Sequence, residues 1–192
     1  MLGVPRRRHC AGTGGEGGPA HSGPSGLSRY LDAGRGARMS ALSKADLLGT
    51  WELESFEVRA GDGRPPRHPF GLQARGRIVY AEDGHMMAVL SGPLDAVPQA
   101  ATLETSHRAS DAEKAAAFDR YLSYSGRWRL DGDQIHHDVD LALVPGLAGQ
   151  TQTRTVAFLA GPPHRLTLSY VHHSRRGTAH RFVLSWRRPF PE

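Results

Sequence analysis

The chain has 192 residues, with 24 Lys+Arg against 19 Asp+Glu for a formal net charge of +5. Arg6, Arg7, Arg8, Arg29, Arg35 and Arg38 outweigh Glu16 and Asp32 to place +4 of this within residues 1–38, leaving +1 for the other 154. A body without a basic face lacks the charge needed to neutralise phosphates, so nucleic acid is not an expected partner. The body, at roughly 150 residues, is enough for one core and too short for two ordinary domains. Cys10 is the single cysteine and lies near the N-terminus, so no internal disulfide is available and a reducing cytoplasm is the expected compartment. No apolar run approaches the roughly 18 residues that span a bilayer. Arg6-Arg7-Arg8 leads into glycine-rich sequence instead of a hydrophobic segment. Neither membrane insertion nor export is therefore expected.

Residues 1–42 read as a Gly/Arg-rich disordered tail, because residues 1–38 hold 10 of the 23 glycines and almost no periodic apolar pattern. Met39 opens more ordinary sequence, so the segment before it is either a real tail or lies upstream of the true start. The folded domain is expected over residues 43–190. Ser43-Lys44-Ala45-Asp46 has the spacing of a capping box and starts a short helix that ends at Gly49. Residues 50–58 mix aromatic, branched and charged side chains as a strand wet on one side does, and Gly61-Asp62-Gly63 turns the chain.

Strands at 76–81 and 85–90 flank Asp83-Gly84, and strands at 124–130 and 134–143 flank Asp131-Gly132-Asp133. Asp-Gly tolerates the positive φ of tight hairpins, so two hairpins are expected. Between them Ser110-Asp111-Ala112-Glu113 forms a second capping box. Ala115, Phe118, Tyr121 and Leu122 follow at helical spacing, an apolar stripe expected on the sheet or across an opening. Strands at 152–159, 165–172 and 179–187 complete the series, separated by turns at Gly161-Pro162-Pro163 and Arg175-Arg176-Gly177. Short antiparallel strands with little helix make the fold class all-β, a barrel or sandwich of about eight strands with a short N-terminal helix and one capping helix.

Strand parity then sorts the side chains. Ile135, His137, Val139, Leu141 and Leu143 share one face, which is the core face. Val156 and Phe158 mark the inner side of the next strand and bring Gln152 and Arg154 with them. Leu166, Leu168, Tyr170 and His172 form another inward set, as do His180, Phe182, Leu184 and Trp186, and Tyr124, Trp128 and Leu130. An inward arginine is costly unless paired or wet, and an apolar lining with a few polar groups is what a ligand cavity needs. Met86-Met87 are adaptable lining or core filler. Trp51 on the first strand and Arg187 or Arg188 on the last are placed to stack as a barrel closes.

Other chemistries find little support. His136-His137 and His172-His173 are adjacent pairs whose members face opposite sides of a strand, so no metal site is expected. No glycine-rich phosphate loop follows a strand, no Gly-x-Ser-x-Gly elbow is present, and the body has no thiol.

At the start of the first strand, Gly49-Thr50-Trp51 resembles the Gly-x-Trp signature of lipocalins, and the late arginine looks like the one that covers this tryptophan in them. The body as a whole resembles the bacterial and fungal lipocalin-like domain proteins. The likeness runs through Leu48–Leu53, Ala74–Tyr80, Asp83-Gly84-His85-Met86, Tyr124-Ser125-Gly126-Arg127-Trp128, His136-His137 and Gly149 to Arg154, over about residues 43–188. It departs at Gly146-Leu147, where an Asn-Trp pair is expected, and at Trp128, where tyrosine is expected.

The resemblance implies a calycin barrel holding an apolar small molecule, with no cofactor. It allows catalysis, since several such barrels in natural-product pathways act as cofactor-free cyclases. The expected activity is cyclisation or isomerisation of a polyketide-like intermediate, with a non-catalytic carrier as the alternative. In that activity Arg154 and Gln152 hold or polarise a carbonyl, and His137 serves as acid or base because an imidazole titrates near neutrality. Tyr80, Met87, Tyr124, Trp128, Tyr170, His172 and His180 are the expected ligand-binding residues. The expected partner is an apolar small-molecule ligand or substrate, and a homodimer is left open.

Overall fold

A computed structural model describes residues 42–93 and 105–189. Apart from Leu42, the expected tail lies outside these residues. Eight strands follow in chain order: β1 (Gly49–Ala60), β2 (Arg75–Tyr80), β3 (His85–Ser91), β4 (Tyr121–Asp131), β5 (Gln134–Ala142), β6 (Thr151–Leu159), β7 (Arg165–His173) and β8 (Ala179–Arg187). Each pairs antiparallel with the next, and β8 returns to β1, so the barrel closes and no strand edge is left open. The β2–β3, β4–β5 and β6–β7 hairpins gather at one end with the start of β1. The connections that follow β1, β3, β5 and β7 leave from the other end. Gly84 and Gly132 supply the positive φ that the first two hairpins require, at 86° and 58°.

Two helices accompany the strands, α1 (Lys44–Leu47) and α2 (Asp111–Asp119). Both capping boxes form: the Ser43 amide donates to Asp46 Oδ2 at 2.9 Å, and the Ser110 amide to Glu113 Oε2 at 2.8 Å. The expected apolar stripe on α2 does not. No residue of α2 is buried, Phe118 is exposed, and Tyr121 and Leu122 already belong to β4. The β4 ladder draws those two residues into the sheet, where Leu122 pairs with Leu90, and this leaves the helix with too short an apolar face to dock.

Inside the barrel, Leu47, Trp51, Ile78, Tyr80, Met86, Ala88, Leu90, Trp128, Ile135, Val156, Leu166, Leu168 and Trp186 pack into one buried cluster. The hairpin end is shut by a clasp. Trp51 Nε1 donates to Leu47 O at 2.8 Å, and the Arg188 guanidinium stacks 4.4 Å from the Trp51 ring while donating to Leu48 O and Asp46 O at 2.7 and 2.8 Å. The covering arginine is thus Arg188; Arg187 instead bonds Glu52 Oε2 at 2.7 Å on the outer side.

Parity holds wherever the ladder is regular and fails where it is not. A register shift between Ser125 and Gly126 sets Leu141 opposite Ser125 but Val139 opposite Gly126, leaving Asp140 as the extra residue. Beyond it the faces exchange, so Leu141, expected inside, is 70% exposed. Glycine is needed at 126 because a Cβ there would run into the Asp138 carbonyl.

Candidate ligand site in the barrel

Three inward residues from three strands meet around one imidazole. His137, 0% exposed on β5, has Tyr80 Oη of β2 3.0 Å from Nε2 and Tyr124 Oη of β4 3.1 Å from Nδ1. Regular pairing places them: Tyr80 sits opposite Met86, Tyr124 opposite Ala88, and His137 opposite both Trp128 and Gln152. Burial, followed by the charge of Arg154, lowers the pKa of His137 from 6.5 to about 3. The expectation that His137 titrates near neutrality is therefore corrected. Desolvation opposes the imidazolium, and both ring nitrogens are already engaged, so the ring is neutral at physiological pH. Burial likewise raises Tyr80, Tyr124 and Tyr170, keeping all three as neutral hydroxyls.

Arg154 faces inward from β6, opposite Ile135, as parity predicted. Its guanidinium lies 4.0 Å from the centre of the Tyr170 ring; Nη1 donates to Thr153 O at 2.8 Å and Nη2 to Gln152 Oε1 at 3.3 Å. No carboxylate among the described residues pairs with it, and it is the one permanent charge at the inward strand positions. Its field reaches His137, Tyr80, Tyr124 and Tyr170, opposing a proton on the first and favouring ionisation of the others. Tyr124, Gln152, Arg154 and Tyr170 are all half-buried although they point inward, so solvent reaches the inner wall beside them, and this partly open stretch is the recess.

Around the recess runs a set of aromatic contacts. Tyr170 stacks on Phe182 at 4.6 Å between centroids, Phe182 meets Phe56 at 6.3 Å, and Phe56 meets Phe70 at 5.8 Å. Strand parity in the sequence gives no sign of Phe56 or Phe70. The bulge between Leu53 and Ser55 shifts Phe56 onto the inward row, and Phe70 lies in a loop where strand parity gives no signal.

The remaining predicted residues divide. Trp128 is buried against Tyr80 at 4.9 Å and donates Nε1 to Ala81 O at 3.0 Å, so it forms wall near the hairpin end. His180 faces inward, half-buried, with Nδ1 buried and without a hydrogen-bond partner among the described residues. His172 pairs with His180 across β7 and β8 but is exposed at the strand end, which corrects its placement in the lining. Met87 is corrected outright. It projects from the outer wall at 55% exposure, and the inward neighbour is Met86. Met87 instead lines an external hollow of about 650 Å³ together with Glu52, Arg77, Val79, Val89 and Arg187.

A search of curated proteins finds no match. Among solved structures, an uncharacterized protein from Bacteroides eggerthii is similar at 15% identity and a TM-score of 0.31, covering 71% of this chain and 98% of that one. Transferrin binding protein B from Haemophilus parasuis, as its Trp-176-Ala mutant, is similar at 8% identity and a TM-score of 0.39, covering 80% of this chain and 29% of that one. The lipocalin-like domain matches residues 48–189, nearly the whole barrel, and the chain therefore belongs to the lipocalin-like domain family.

Proposed function

We propose that the barrel admits an apolar, carbonyl-bearing small molecule of polyketide-like flexibility and cyclises or isomerises it without a cofactor. The observation that carries this is Arg154: a half-buried, inward guanidinium with no carboxylate partner, flanked by Gln152 and the aromatic wall of Tyr170. A preorganised cation beside a carbonyl stabilises the negative charge that develops on oxygen during enolisation or ring closure. The aromatic walls fold the guest and exclude water, which brings reacting atoms together. Both reactions rearrange the guest itself, so no oxidant, reductant or group donor is consumed.

The carrier reading has one specific observation in its favour. His137, the nearest candidate base, is held neutral by burial and already engaged at both nitrogens, so no side chain of the cluster is poised to take a proton near pH 7. Incubation with flexible poly-β-carbonyl compounds followed by chromatography and mass spectrometry separates the two. A product of unchanged mass and new retention time, lost in Arg154→Ala, supports catalysis. Compounds that bind yet return intact support a carrier, and compounds that do not bind reject both.

A further inference from the structure

The Tyr80–His137–Tyr124 cluster contains a proton order that can be worked out from its hydrogen bonds. A neutral imidazole has one N–H donor and one bare nitrogen acceptor, so of the two tyrosines touching it one must donate and the other must accept. If Tyr124 donated to Nδ1, Nε2–H would point at the Tyr80 oxygen, and the Tyr80 hydroxyl proton would need an acceptor elsewhere. Tyr80 is 1% exposed, and among the described residues His137 Nε2 is the one protein group within hydrogen-bond reach of its hydroxyl. That arrangement buries an unsatisfied donor, which costs about 1–3 kcal/mol. In the opposite arrangement the Tyr80 hydroxyl donates to Nε2, Nδ1–H donates to the Tyr124 oxygen, and the proton left over belongs to Tyr124. Tyr124 is the half-buried member, on the recess side beside Arg154.

We infer that Tyr80 and His137 are positioning residues that fix the imidazole as its Nδ1–H tautomer and thereby turn the Tyr124 hydroxyl into a dedicated hydrogen-bond donor to the recess. Tyr124 and Arg154 then present donors toward the recess with no carboxylate among the described residues to accept from them. The group they fit on a guest is an oxygen that only accepts: a ketone, enolate or carboxylate. The last step rests on the proposal that a guest enters the recess; the proton order does not.

The two parts are tested separately. Long-range ¹H–¹⁵N correlation spectra of the histidine-labelled, ligand-free protein report the tautomer directly. A protonated Nδ1 and a bare Nε2 on His137 are expected, and a protonated Nε2 overturns the inference. Tyr80→Phe removes the one donor to Nε2 and is expected to mix the two tautomers, whereas an unchanged pure Nδ1–H signal would show that Tyr80 sets nothing. For the recess, 2-acetylnaphthalene is compared with 2-ethylnaphthalene, which has nearly the same shape and no oxygen. Tyr124→Phe should weaken the ketone about tenfold, the scale of one lost hydrogen bond, and leave the hydrocarbon within about twofold. Equal effects on both probes remove Tyr124 as the donor. If neither probe binds the unaltered protein, the guest-binding proposal fails, while the tautomer spectrum still decides the proton order.

Discussion

Two arginines of this barrel each stack on an aromatic ring, Arg188 on Trp51 at 4.4 Å and Arg154 on Tyr170 at 4.0 Å, yet they stand in opposite relations to the fold. Arg188 donates to carbonyls 140 and 142 residues away in sequence, tying the end of β8 to α1 and the start of β1. Among the described residues Arg154 donates to its neighbours, Thr153 O and Gln152 Oε1, one and two residues away, so its hydrogen bonds stay within β6 and it reaches β7 only through the stack on Tyr170. One end of the barrel is finished by its arginine. The other holds a cation whose hydrogen bonds stay within its own strand, and a half-buried charge with no carboxylate partner among the described residues is open to a guest.

The largest expected effect concerns the neutral imidazole beside Arg154. The pKa of His137 is lowered to about 3 in the folded chain, while the unfolded chain titrates near 6.5, so between these values the unfolded state binds the extra proton. Its contribution to stability is complete above pH 6.5 and falls away as pH drops toward 3, by about 1.4 kcal/mol per pH unit. Urea titrations from pH 7 to 4 measure this slope. The His137→Gln variant should lose it and retain only the shallower acid sensitivity of carboxylates such as Asp46 and Asp138, whose pKa values are lowered by hydrogen bonds to Ser43 and Thr151. Equal slopes in the two proteins would mean that His137 is not buried as a neutral group.

Next in size is the clasp. Arg188→Ala removes two hydrogen bonds to carbonyls and a cation–π contact, and should cost about 2 kcal/mol in chemical denaturation while exposing Trp51 to fluorescence quenching by acrylamide. A loss below about 0.5 kcal/mol, the range of an ordinary surface substitution, would erase the contrast with Arg154 from this side.

What the sequence made legible follows the same division between local and long-range causes. The eight strands, both capping boxes and the Asp-Gly hairpins rest on neighbours in sequence and were legible, except that β4 starts at Tyr121, before the expected 124. Arg154 and Gln152 were put on the inner wall because β6 is regular and Val156 and Phe158 mark its inward side. Leu141 was misplaced because the bulge at Asp140 depends on how β5 meets β4, which no local pattern records. Met87 was misplaced in the lining for another reason: β3 carries apolar residues on both faces, Met86, Ala88 and Leu90 inside and Met87 and Val89 outside, so alternation gave no direction. The state of His137 could not be read at all, since it is set first by burial inside the closed barrel and then by the charge of Arg154. The choice between Arg187 and Arg188 on Trp51 was likewise settled only by closure of β8 on β1.

The smallest expected effect on stability is also the sharpest test of the comparison. Arg154→Met keeps an unbranched side chain against Tyr170 but removes the charge. The lost cation–π contact and the two hydrogen bonds within β6 are offset by the relief of desolvating a half-buried guanidinium, so the net change should stay within about 0.5 kcal/mol. Binding should respond differently, with affinity for a carbonyl-bearing guest falling at least about tenfold if the guanidinium holds its oxygen. The same substitution must also act on the imidazole. Arg154 is the second cause of its lowered pKa, so without that charge the folded-state value rises toward 6.5 and the acid-induced loss of stability levels off at a higher pH. A variant that loses 2 kcal/mol, or whose acid limb does not move, would place Arg154 beside Arg188 as a structural cation and leave the recess without its charge.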